Sequence, residues 1–127
     1  MVGYLPKGKL NSITRPRDCS PAAAAEAFEL LEGRWKLVII HHLFGGDGGK
    51  PPIMRFSELE RAIPTVSQKM LIQQLRSLER DGIVRRTIHP QVPPKVEYQL
   101  TKLGEALRPT LRALLDWANI RKQQLAD

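Results

Sequence analysis

One cysteine, three histidines and a glycine-rich loop ending in lysine are the places where this 127-residue chain could carry chemistry. Cys19 directly precedes Ser20-Pro21, a helix-start signal. A helix N-terminus favours the thiolate, and Arg15 and Arg17 act in the same direction, while Asp18 opposes them. Two readings follow, a reactive thiol that answers oxidants or electrophiles and an inert, packed thiol. A single cysteine excludes an internal disulfide framework and argues against a Cys-based zinc site. His41 and His42 are adjacent on a predicted helix, so they point about 100° apart and do not easily share a metal ion. Adding Cys19 and His89 produces no zinc-motif spacing, and core or capping roles fit these histidines better. The run Gly45-Gly46-Asp47-Gly48-Gly49-Lys50 lacks the strand–loop–helix setting and the following Ser/Thr of a phosphate-binding loop. No Ser/His/Asp set or carboxylate pair appears. The expectation is a protein that binds rather than catalyses, with no metal and no cofactor.

What the chain would bind is suggested by charge. Twenty Lys+Arg stand against 13 Asp+Glu, a formal net charge of +7. An excess of this kind fits a polyanionic partner and also fits simple solubility. It is unevenly spread. Residues 1–18 hold Lys7, Lys9, Arg15 and Arg17 against Asp18, and residues 55–102 hold nine basic side chains against five acidic ones. The length suits one domain and is short for an enzyme with a cleft between two lobes. No apolar run approaches the roughly 18 residues of a membrane span, and no signal-peptide core opens the chain. A cytoplasmic protein without membrane contact is expected. Residues 1–18 read as a basic arm broken by Gly3, Pro6, Gly8 and Pro16, which either is solvated or contacts DNA or a second subunit.

The charged residues need elements to position them. Ser20 caps, and Pro21 opens, a predicted helix over Ala22–Leu31 with Phe28 and Leu31 to bury. A second helix over Arg34–Phe44 carries the apolar stripe Trp35, Val38, Ile39, His42, Leu43, and the loop Gly45–Pro52 follows. Ile53–Arg55 reads as a short strand and Ser57–Ala62 as a third helix ended by Pro64. A fourth helix starts at Thr65 or Ser67, either of which can cap, and runs to Arg80 with Gly82 closing it. Ile83–His89 and Lys95–Leu100 form a hairpin around the proline-rich tip Pro90–Pro94. A last helix is capped by Thr101 and reaches Lys122. Leu103, Leu107, Leu111, Leu114 and Leu115 form its stripe, and Pro109 predicts a kink or break.

Two short helices joined by a turn, then a hairpin, is the order of a winged helix-turn-helix, whose second helix enters the major groove of DNA. The fourth helix has the two faces this requires. At 100° per residue, Leu71, Leu75 and Leu78 cluster on one side, and Lys69, Gln73, Arg76 and Arg80 lie about 140–200° away from Leu71 without an acid among them. Arg and Lys can bond guanine edges, and Gln can pair with adenine. Ser67 and Gln68 at the helix start can meet phosphate. Arg85, Arg86 and Lys95 place cations on the hairpin. Replacing Arg76 is expected to relax base preference, and replacing Lys95 to weaken all sequences alike.

The same residues carry a family resemblance. The stretches Leu31-Glu32-Gly33-Arg34-Trp35, Arg55-Phe56-Ser57-Glu58-Leu59, Leu75-Arg76-Ser77-Leu78-Glu79-Arg80-Asp81-Gly82-Ile83-Val84 and Val92-Pro93-Pro94-Lys95-Val96-Glu97-Tyr98, continuing to Gly104, resemble the HxlR-type regulators. These are a bacterial branch of winged-helix transcription factors related to the MarR type. The resemblance covers residues 19–118, with 1–18 as an arm and 119–127 as the end of the last helix and a tail. It implies an α+β, mainly α fold, with extra N- and C-terminal helices that pair two subunits. It also implies a homodimer that binds an inverted-repeat operator in double-stranded DNA on the nucleoid and represses or activates nearby genes. Some such regulators sense oxidants or electrophiles through a cysteine before the first helix, the position of Cys19. The departure is the Gly45–Pro52 loop, longer than the usual Gly-x-Arg-Arg-Phe turn. It precedes the DNA-reading helices and bears instead on the domain edge or a neighbouring subunit.

Two other classes compete with a DNA-reading regulator. A winged-helix protein–protein adaptor would favour acids on the fourth helix's outer face. A binder whose DNA affinity responds to a small ligand or metal would need a pocket signature, and the sequence shows none; any effector is unspecified.

Overall fold

The computed structural model describes residues 20–46 and 49–126. The chain divides after Glu32 into two units. In the first, α1 spans Pro21–Leu30. Ser20 Oγ accepts the Ala23 amide at 3.2 Å, and Pro21 sits in the first turn, where its missing N–H costs nothing. The helix buries none of its side chains, and Phe28, expected inside, is 66% exposed. Its alanines form a helix readily but supply little apolar area.

The second unit begins at Gly33, whose φ of +99° opens α2, Arg34–Phe44. α2 packs against α3, α4, β3 and α6. Contact on several sides widens its buried face beyond one stripe. Ile39 and Leu43 are buried as the period predicts, but Ile40 and Phe44 are buried as well, while Trp35, Val38 and His42 are only half-buried. Gly45 then adopts φ +73°, and a Cβ there would collide with the Pro52 ring.

β1, Met54–Arg55, leads into α3, Phe56–Ala62, where Glu58 accepts the Arg55 amide at 2.7 Å. α4 spans Gln68–Arg80. β2, Val84–His89, and β3, Lys95–Leu100, form the hairpin. The three strands pair antiparallel in the order β1-β3-β2, with Val84 opposite Leu100, Arg86 opposite Tyr98 and His89 opposite Lys95. Leu59, Ile63, Leu71, Leu75, Leu78, Ile83, Val84, Tyr98 and Leu100 complete the core begun by α2.

The predicted last helix is two helices. α5 covers Lys102–Glu105 and α6 covers Arg108–Ala126, so Pro109 lies in the first turn of α6 rather than inside a continuous helix. The break removes Leu103 from the leucine stripe and leaves it 61% exposed. Thr101 ties this junction to the hairpin. Its hydroxyl donates to the Gly82 carbonyl at 2.6 Å and accepts the Gly104 amide at 3.1 Å, while its own amide donates to Ile83 O at 3.0 Å. A Cβ on Gly104 would run into the Ile83 carbonyl oxygen, so only glycine allows this approach. At the other end of the break, Arg108 lies 4.5 Å over the Phe44 ring and donates to Gly46 O at 2.7 Å.

Candidate nucleic-acid interface

α4 separates its side chains cleanly. Leu71, Leu75 and Leu78 are at most 1% exposed, whereas Ser67, Gln68, Lys69, Gln73, Arg76 and Arg80 all face solvent. Ser67 is the cap, its Oγ accepting the Met70 amide at 3.1 Å, which leaves Thr65 outside the helix. Buried leucines anchor the inner face and thereby fix the direction of the cationic one.

The hairpin cations fare differently. Arg85 and Arg86 are adjacent in a strand and so occupy opposite faces of the sheet. Arg86 shares its face with Tyr98 and points toward α4, where its Nε lies 3.1 Å from Glu79 Oε2. Arg85 shares the other face with Glu97, His89 and Lys95. There Glu97 is contacted by His89 Nε2 at 2.6 Å and Lys95 Nζ at 3.4 Å. The His89 hydrogen bond foremost, with Lys95 assisting, holds the Glu97 carboxyl below its ordinary value despite some desolvation. Lys95 is therefore a half-buried, paired cation of the hairpin. Both acids escaped the sequence reading. Glu79 falls at the edge of the outer stripe, at i+3 from Arg76, and Glu97 follows Lys95 by two, so the spacing held the signal in each case.

Between α4 and the hairpin lies a concavity of about 390 Å³. Ile72, Val96 and Tyr98 line it together with Arg76, Glu79 and Arg86. Burial pushes the Tyr98 hydroxyl upward, opposed first by the charge of Arg86. Of the four stripe residues, only Arg76 reaches this concavity. The tip beyond it is open, with Val92 fully exposed.

The remaining candidates do not join this surface. Cys19 and the arm of residues 1–18 lie outside the described residues. His41 and His42 meet edge to face at 5.6 Å, and burial, then the His41 charge, holds His42 below its ordinary value. Among the described residues no three His, Cys, Asp or Glu side chains gather to hold a metal ion, and no helix is long and apolar enough to cross a membrane.

A helix with a basic outer face, preceded by a short helix and followed by a paired hairpin, is a winged helix-turn-helix. The model of the HxlR-like helix-turn-helix family matches residues 30–125. The chain belongs to that family. Among its HxlR-like relatives is the HTH-type transcriptional regulator YkvN of Bacillus subtilis (strain 168), 46% identical over 96 residues that cover 76% of each chain. Of the solved structures, the redox regulator HypR in its reduced form superposes with a TM-score of 0.72 at 36% identity, covering 82% of this chain and 97% of that one. The reduced form of the transcriptional regulator YodB from B. subtilis gives 0.67 at 39% identity, over 80% and 93%. The protein is thus a helix-turn-helix transcriptional regulator of the HxlR-like type, and its HxlR-like wing is the β2–β3 hairpin.

Proposed function

We propose that the protein is a homodimer that recognises an inverted-repeat operator in double-stranded DNA, without cofactor, and represses or activates adjacent genes. The observation that carries this is the outer face of α4, which offers Lys69, Gln73, Arg76 and Arg80 to solvent while its leucines are locked in the core. In this reading α4 lies in the major groove with Lys69, Gln73 and Arg76 at base edges. Ser67 and Gln68 at the helix start meet phosphate. Arg85, Arg86 and, more weakly, Lys95 add cationic contacts along the backbone. The site of action is the bacterial nucleoid in the cytoplasm. Fluorescence anisotropy with the DNA upstream of the gene tests it. Binding should fall steeply with salt, and Gln73→Ala should reduce the preference for that DNA over a scrambled duplex. Equal affinity of the wild type for both duplexes at every salt concentration sinks the proposal.

Dimerisation is assigned to α1 and α6, whose apolar side chains Phe28, Leu114, Leu115, Trp117 and Ile120 are exposed in the single chain. Sedimentation of the wild type against Trp117→Glu tests this; a wild type that runs as a monomer at micromolar concentration rules it out. Cys19 is assigned as the redox or electrophile switch, supported by its place before α1 and by likeness to regulators named for redox control. Diamide should alter DNA binding of the wild type and not of Cys19→Ser; an unchanged response in the variant rules the switch out.

A further inference from the structure

We propose that the concavity between α4 and the wing seats one sugar-phosphate strand of the bound duplex, with Arg76 and Arg86 as its phosphate ligands and Glu79 as the residue that positions Arg86. This rests on the DNA-reading function proposed above. A helix in the major groove and a hairpin in the adjoining minor groove are separated by a single backbone strand. Whatever lies between the two elements must face that strand.

The concavity has the chemistry for it. Its floor of Ile72, Val96 and Tyr98 is apolar, which suits the carbon face of a deoxyribose. Its rim carries two guanidiniums and one carboxylate, leaving one net positive charge for a phosphate. Arg76 has no ion pair among the described residues, and it alone of the outer stripe turns to the wing side. Lys69, Gln73 and Arg80 stay outside the concavity and keep the groove. Arg76 is thereby moved from base reading, the role its residue type suggests, to backbone clamping.

Glu79 holds Arg86 through Nε at 3.1 Å, from one helical turn above Arg76. A guanidinium has five N–H donors, so the bond to Glu79 orients Arg86 and leaves its terminal donors for phosphate.

The test uses a duplex selected by the wild-type protein from a random pool, a scrambled partner, and versions of the first with single phosphates replaced by uncharged methylphosphonates. Arg76→Ala should weaken both duplexes by a similar factor, about tenfold, and lower the salt slope of each by about 1.8, because the dimer loses two phosphate contacts. One methylphosphonate position should weaken the wild type and leave Arg76→Ala unaffected, and a neighbouring position should do the same for Arg86→Ala. In Glu79→Gln the Arg86-dependent position should lose its effect while the Arg76-dependent one keeps it. Relaxed preference at one base pair with an unchanged salt slope in Arg76→Ala overturns the clamp and returns Arg76 to base reading. Tighter binding of Glu79→Gln to both duplexes, with the Arg86 position still sensitive, overturns the positioning role and leaves Glu79 as a mere repulsive charge. A wild type that selects no duplex overturns the DNA reading beneath the proposal, a result distinct from any obtained with the variants.

Discussion

α4 and α6 are both amphipathic helices of the same unit, and they resolve their two faces in opposite ways. The thirteen residues of α4 bury three leucines within the chain and present a polar, basic exterior. The nineteen residues of α6 bury none, and Leu114, Leu115, Trp117, Ile120 and Leu125 remain exposed. An apolar stripe left in water is a surface awaiting another surface. A cationic stripe backed by a full core leaves no such apolar area uncovered. The lesson is that folding of the single chain covers the apolar face of α4 and leaves that of α6 uncovered.

Substitutions should separate the two helices sharply. Leu75→Ala, on the buried side of α4, should cost about 2–5 kcal/mol and lower the unfolding midpoint in a denaturant titration. Leu115→Ala on α6 should cost far less of the single chain's stability. Equal losses would erase the contrast. Trp117→Glu is expected to shift the dimer–monomer equilibrium toward monomer by the equivalent of about 2 kcal/mol or more, read by sedimentation, as befits an aromatic anchor. Gln73→Ala, on the exposed side of α4, should leave the unfolding midpoint nearly in place and remove about 1–3 kcal/mol of discrimination at one base pair, read by competition binding.

The smallest effect belongs to the wing. The Glu97 carboxyl sits below its ordinary value of 4.5 in the folded chain, chiefly because His89 hydrogen-bonds to it. A lowered carboxyl contributes stability that is complete above the unfolded value and is lost as pH falls through the folded one. Glu97→Gln should therefore flatten the acid-side decline of the unfolding midpoint below about pH 4.5 and change little at neutral pH. An identical acid profile in the variant would show that the His89–Glu97–Lys95 cluster carries no linkage.

Much of this arrangement is legible along the chain. The 3.6-residue period marks the inner and outer faces of α4, Ser67 is one of its two flagged caps, Gly82 takes the expected positive φ, and β-branched residues around the prolines mark the hairpin. These features are local, and their physics involves residues a few positions apart. Ile40 and Phe44 were not legible because their burial depends on how many elements close on α2. The exposure of Phe28 was not legible because periodicity says which side chains are apolar and not whether anything covers them.

The division is clearest at the charges. Residue order alone establishes that Lys69, Gln73, Arg76 and Arg80 share a face, since a helix of known pitch leaves no choice. It cannot establish that Arg86 turns inward to Glu79, that Lys95 and His89 share Glu97, or that Arg76 borders the concavity while Gln73 does not. Those outcomes depend on strand register and on the distance between helix and wing, which only packing of the whole unit decides. Pairing at 2.6–3.4 Å is a property of tertiary geometry, and it determines which of the chain's cations already face a carboxylate.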